Sequence, residues 1–211
     1  MSRPRSPRRS DAAPASADLR ARILTATRDL LERHRFDTLS VADILTAAEV
    51  SRASFYFYFP SKQAVLGELV REAVAQGQQA AQPWIGQEQE PVAALRSGVS
   101  DGARLWRDNA GVLMAIVESW GSDADLRALW LAQMDLFTDA AAARIQADPR
   151  ALERLGDVDV RAVAASLTWL GERLYYLAAS GVPPFDDEQV LVDTLTKAWT
   201  SLLYGDDAPS S

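Results

Sequence analysis

The stretch TLSVADILTAAEVSRASFYFYFPSKQAVLGEL, residues 38–69, reads as two short helices joined by a tight turn and running into a long third. Ser40, with Asp43 three residues on, is a capping signal, and Val41, Ile44, Leu45 and Ala48 follow at helical spacing. Ala48-Glu49-Val50 makes the turn. Ser51 opens a second short helix that has to finish before Pro60. Ser61 caps again, and Val65, Leu66, Leu69, Val70 and Ala73 carry a helix from Lys62 to about Gln82. Upstream, Asp18 fits an N-cap, and Leu19, Ile23, Leu24, Thr27, Leu30 and Leu31 place a helix as far as about His34. Three helices with a tight turn between the second and third suggest a helix-turn-helix. That motif offers the first side chains of its last helix to the major groove of DNA and its flanks to phosphates.

The charge distribution has the same polarity. Residues 1–62 hold 11 Lys/Arg and 7 Asp/Glu, whereas residues 63–211 hold 11 and 22. A basic first third on an acidic body fits a polyanion contact confined to one end, and equally a chance imbalance with an Arg-rich tail. Residues 1–17 (MSRPRSPRRSDAAPASA) have almost nothing to bury and are expected to be a disordered basic tail; residues 206–211 at the other end are expected to be a disordered tail. Between them, a helix-turn-helix domain is expected over 18–62 and a helical body over 63–205.

Composition removes several classes. There is no Cys, which excludes disulfides, thiolate nucleophiles and zinc-cysteine sites and fits a reducing compartment. His34 is the only histidine, which excludes a multi-histidine metal centre and the Glu-x-x-His pairs of a di-metal bundle. No metal, cofactor or catalytic residue is therefore expected, and the chain does not read as an enzyme. No apolar run approaches the roughly 18 residues of a membrane span. Arg8-Arg9 is followed by Asp11-Ala12-Ala13-Pro14 with no apolar stretch behind it, which does not fit a leader, so a cytoplasmic location is expected. With 36 Ala and 25 Leu against 5 Ile, and no sustained period-two alternation, the predicted class is all-α without a sheet.

In the third helix, Arg52 can contact guanine through both guanidinium nitrogens. Ser51, Ser54, Tyr56 and Tyr58 offer hydroxyls to phosphate oxygens. Lys62, at the start of the next helix, could hold a phosphate together with the backbone N–H groups there. Each also has a plainer role. Arg52 could be a solvated charge, Lys62 the partner of a carboxylate, and one of the two tyrosines a packing residue. Phe55 and Phe59, four apart, read as core. One helical turn cannot bury all five aromatics of Phe55–Phe59.

This segment resembles the DNA-binding region of TetR-family transcriptional regulators. Their pattern is a small residue followed by S-x-x-x-[FL]-Y-x-[HYF]-F-x-[SN]-K. The run FYFYFPSK (55–62), Gly-Glu-Arg at 171–173 and Ala-Trp-Thr-Ser-Leu-Leu-Tyr-Gly at 198–205 are particularly similar to the EthR-like subgroup. The resemblance implies a homodimer of about nine helices per chain, with an N-terminal helix-turn-helix head on a C-terminal ligand-binding and dimerisation body. It implies double-stranded operator DNA and a small hydrophobic effector as partners. By position in the motif it makes Ser40, Ser51, Tyr56, Tyr58 and Lys62 backbone contacts and turns Arg52, Ala53 and Phe57 toward bases. One departure stands out: the turn position where the family usually has Gly is Glu49. A side chain there costs about 1 kcal/mol if φ is positive, and its carboxylate could repel phosphate.

After Pro83–Pro91, a loop, helices are expected at about 91–107, 110–120, 124–147, 159–180 and 187–204, with a short piece possible at 150–155. All six Trp lie in this half. Leu126, Trp130, Met134, Phe137, Ala141 and Ile145 share one helix face. Val160, Val163, Leu167, Leu170, Leu174 and Leu177 form a seam on another helix, beside a second seam of Ala164, Thr168, Gly171 and Tyr175. A helix apolar over so much of its circumference is buried on two sides. Leu167, Leu170 and Leu174, with Leu195 and Leu202 of the last helix, are the expected dimer interface, an intersubunit four-helix bundle. Gly171 opens a gap beside Trp130, Met134, Phe137, Thr168, Tyr175, Tyr176 and Trp199, which reads either as plain core or as an aromatic-walled cavity. The resemblance adds Leu95 and Trp106 to that cavity. The leading reading is a ligand-responsive repressor. The alternative is a helical ligand-sequestering or scaffold protein with a vestigial DNA head.

Overall fold

The computed structural model describes residues 12–80 and 91–205. Ten helices and no strand occur among them: α1 (Ala12–Leu31), α2 (Val41–Ala48), α3 (Arg52–Tyr58), α4 (Lys62–Ala80), α5 (Pro91–Asp108), α6 (Ala110–Ser119), α7 (Ala124–Gln146), α8 (Pro149–Leu155), α9 (Val160–Ala179) and α10 (Glu188–Tyr204). The optional piece after Asp148 is a real helix. The Asp148 carboxylate accepts from Arg150 N, and Pro149 stands at the first helical position, where no N–H is needed. No described helix is long and apolar enough to cross a membrane. The expectations for residues 1–11 and 206–211 lie outside the described residues.

The chain forms two compact units, residues 1–69 and 70–211. In the first, α1 packs on α2 and α3. Ile23, Thr27, Ile44 and Phe55 are fully buried, with Leu24, Leu31, Phe36, Leu39 and Phe59 nearly so. The helix α1 starts earlier than expected: Asp18 lies inside it rather than capping it. The alanines of 12–17 favour helix, and Pro14 falls within the first turn, where its missing N–H costs nothing. The first turns of α4 also belong to this unit. Glu68 pairs with Arg20 of α1 at 2.6 Å, and Val65, Leu66 and Leu69 are fully buried.

In the second unit, α9 is the central element, packed on α5, α6, α7 and α10, while α10 also packs on α5 and α8. One cluster joins Leu95, Ala141, Ile145, Leu155, Val163, Leu167, Trp199 and Leu203; another joins Val99, Ala103, Leu174, Leu191 and Leu195. Asp123, Asp159 and Asp187 cap α7, α9 and α10, each accepting from two backbone N–H groups. Acidic caps at N-termini favour the helix dipole. They also account for part of the negative charge of this half.

Candidate functional site

The turn between α2 and α3 is built locally. Ser40 and Asp43 close a capping box on α2, the Ser40 N–H donating to Asp43 Oδ2 at 2.8 Å and Asp43 N–H to Ser40 Oγ at 3.2 Å. The Ser40 hydroxyl also donates to Asp43 Oδ2, at 2.7 Å, and this bond first, with that of the Ser40 N–H, holds the Asp43 carboxyl below its ordinary value. Glu49 ends α2 at φ 51°, ψ 46°, the left-handed conformation that favours glycine. The N–H of Val50 then bonds Leu45 O and that of Glu49 bonds Thr46 O, the pairing of a Schellman end. The guanidinium of Arg22 on α1 donates to the Glu49 carbonyl at 3.1 Å and reaches its carboxylate at 3.4 Å. The side chain that replaces glycine thus has a cation beside it, which reduces the repulsion it would offer a phosphate.

Ser51 caps α3, accepting from Ser54 N–H at 3.0 Å, and the two hydroxyls lie 2.9 Å apart. Phe55 and Phe59 are core, at 0% and 4% exposure. Ser51, Arg52 and Ala53 are exposed, as are Tyr56 at 47% and Phe57 at 78%, while Ser54 and Tyr58 are half-buried. A phenylalanine ring so exposed, on a seven-residue helix whose other face is anchored, has no folding role that would hold it there. Both tyrosines meet a neighbouring ring edge-on, Tyr56 against Phe55 at 5.3 Å and Tyr58 against Phe57 at 4.9 Å, and Tyr58 is the more buried of the two.

Lys62 departs from its expected place on a phosphate. Its ammonium donates to Leu39 O at 2.6 Å, Phe36 O at 2.9 Å and Asp37 O at 3.4 Å, and sits 4.7 Å from the Phe36 ring centroid. An ammonium has three donors, and all three are directed at the connection between α1 and α2. The side chain staples that connection to the start of α4.

In the second unit a cavity of about 180 Å³ opens between α5, α7, α9 and α10. Leu95, Trp106, Trp130, Met134, Phe137, Thr168, Gly171, Tyr175 and Trp199 all line it, as expected. Tyr176 does not. It lies one position around the helix from Tyr175, donates to Glu118 of α6 at 3.1 Å and carries the Arg173 guanidinium 5.0 Å over its ring. Gly171 is open as expected: a Cβ there would meet only Tyr175 Cε2, at 3.5 Å. Three interface expectations are also corrected. Leu167, Leu174 and Leu195 are 4%, 8% and 0% exposed within one chain, and Leu167 lines the cavity, so they cannot face a partner. Leu170 and Leu202, at 37% and 42%, remain outside.

The sequence reading missed the α5 wall: Gly98, Val99, Asp101, Gly102 and Leu105. Their spacing with Leu95 and Trp106 is helical, which was a usable signal. Gly102 is a packing requirement, because a Cβ would stand 2.6 Å from Tyr175 Oη. That hydroxyl crosses α5 to donate to Val99 O at 3.0 Å, and the ring stacks with Trp106. Burial, with Asp101 nearby, pushes the Tyr175 phenol up. Glu172 was missed too. It is 5% exposed on the cavity wall, four residues after Thr168. Burial raises its carboxyl above its ordinary value, while Arg173 and the Trp130 indole oppose that shift. Among the described residues no group of His, Asp or Glu gathers as a metal site.

A capped helix presenting Arg52, Tyr56 and Phe57 at the surface, followed by a separate helical unit with an aromatic cavity, defines a helix-turn-helix DNA-binding regulator. The family models agree: residues 23–69 match "Bacterial regulatory proteins, tetR family" and residues 95–205 match "Transcriptional regulator EthR, C-terminal domain". The chain belongs to the TetR family of transcriptional regulators, in its EthR-like branch. It is 30% identical over 206 residues to the HTH-type transcriptional regulator EthR of Mycolicibacterium smegmatis, covering 97% of this chain and 95% of the relative. It is 28% identical to EthR of Mycobacterium tuberculosis (strain H37Rv), covering 94% and 93%. Among solved structures, a TetR-family regulator from Syntrophomonas wolfei shares the fold at TM-score 0.71 and 17% identity, over 89% of this chain and 95% of that one.

Proposed function

We propose that this regulator is a repressor released from its operator by a small hydrophobic effector. The cavity carries the reading: an apolar, aromatic-walled space in the middle of the second unit, where close packing would otherwise be expected. The effector binds one of two conformations of the dimer more tightly, and operator affinity falls by the ratio of the two affinities. Residues 18–62 form the DNA-binding domain and 63–205 the effector and dimerisation body of a cytoplasmic regulator that catalyses no reaction. Arg52, Ala53 and Phe57 face bases, and Ser40, Ser51, Ser54, Tyr56 and Tyr58 face the phosphate backbone. The dimer closes on the exposed side of α9 and α10, where Leu170, Val190 and Leu202 stand in solvent on one chain. The vestigial-head alternative rested on Glu49; a turn formed with αL geometry and paired to Arg22 gives it no support.

The test is fluorescence anisotropy on the DNA upstream of the chain's own gene, with and without apolar compounds that raise the protein's melting temperature. Specific binding that weakens as the compound saturates is the expected outcome. Arg52→Ala should relax specificity by about 1–3 kcal/mol at one base pair, whereas Tyr56→Phe should weaken all sequences alike. Compounds that bind and stabilise while leaving operator affinity unchanged would remove the switch.

A further inference from the structure

The cavity that the preceding reading assigns to the effector has charge of one sign only. Of its lining residues, Asp101 and Glu172 are acidic, and none of the described ones is Lys, Arg or His. Asp101 is met by Arg104 at 3.2 Å. Glu172 is not met in the same way. It is 5% exposed, and Arg173 Nε stands 3.8 Å from its Oε2, too far for a hydrogen bond. The Arg173 guanidinium is itself half exposed and lies over the Tyr176 ring, and neither residue lines the cavity. The Trp130 indole N–H lies beside the Glu172 carboxyl and favours its charged form, but it is buried short of full hydrogen-bond geometry.

A carboxyl held in apolar surroundings disfavours an anionic guest by repulsion and gains little from a hydrocarbon one. A protonated amine supplies charge-assisted hydrogen bonds to it. The same cation is attracted to the faces of the Trp106, Trp130 and Trp199 rings. We propose that the effector class is a lipophilic amine, its ammonium seated against Glu172 and its apolar body among Trp106, Trp130, Phe137 and Trp199. This rests on the cavity being the effector site.

The test is a charge series on one skeleton, phenylbutylamine, phenylbutanol and phenylbutyrate, titrated by calorimetry into the full-length protein and scored for operator release. The amine should bind roughly tenfold or more tightly than the alcohol, and the carboxylate most weakly. In Glu172→Gln the ratio of amine to alcohol affinity should fall toward one. An alcohol that binds and releases DNA as well as the amine would sink the amine proposal and leave the effector reading standing. Failure of all three to bind, with DNA binding intact, would count against both. A preference for the amine that survives in Glu172→Gln would overturn the assignment to that carboxylate. The wild-type series needs no variant, so it decides the matter even if Glu172→Gln folds poorly.

Discussion

Replacing Lys62 by methionine keeps the length and apolar stem of the side chain and removes only the ammonium. Two part-buried carbonyls, Phe36 O and Leu39 O, then lose donors at 2.9 and 2.6 Å, and the Phe36 ring loses its cation at 4.7 Å. With each carbonyl partly reachable by water, about 1 kcal/mol apiece is reasonable, with a further ~0.5–1 kcal/mol for the ring. The total of about 2–3 kcal/mol corresponds to a melting temperature lower by roughly 5–10 °C for a chain of this size. Thermal melts of the two proteins measure it directly. Anisotropy across a salt series separates this role from a phosphate contact. A staple leaves the slope of log K against log salt unchanged, whereas a lost phosphate contact flattens it by about 0.9 per subunit. A Lys62→Met protein that melts with the wild type and shows the flatter slope would refute the staple and return the ammonium to the DNA.

Four further outcomes follow from the geometry. Gly171→Trp should fold, since only Tyr175 Cε2 lies near the new Cβ, and should lose effector binding in titration by filling the cavity; loss of the fold would mean the space is too small to be a site. Gly102→Ala should displace the Tyr175 hydroxyl from Val99 O and cost about 1–3 kcal/mol in denaturant unfolding. Leu170→Arg should yield folded monomers by light scattering, whereas Leu174→Arg, inside its own chain, should lose more than about 3 kcal/mol and its native circular dichroism. Glu172→Gln should stabilise the protein at pH 7 more than at pH 4. The native carboxyl holds its proton above the ordinary value of 4.5, so wild-type stability falls as pH rises through that window while the amide is indifferent; a difference that does not change with pH would contradict the burial.

What could be read along the chain was whatever local chemistry dictates. Ser40, Ser51 and Asp123 cap helices because their oxygens reach N–H groups two or three residues on, and Glu49 adopts positive φ because the Schellman end requires it. Those signals delimit nearly every helix, and helical spacing together with the family resemblance names ten cavity residues, of which nine line one cavity. The tertiary structure decided what depends on distant partners. Lys62 bonds carbonyls 23 to 26 residues away, so its spacing in the motif could not distinguish a staple from a phosphate contact. The leucine seam of α9 looked like an interface, but α5 and α10 close over Leu174 and α7, α8 and α10 over Leu167, leaving Leu170 in solvent. Glu172 carries a charge and reads as surface in any linear pattern. It is buried because it shares one face of α9 with Thr168, four residues before it, and Tyr175, three residues after it, which also line the cavity.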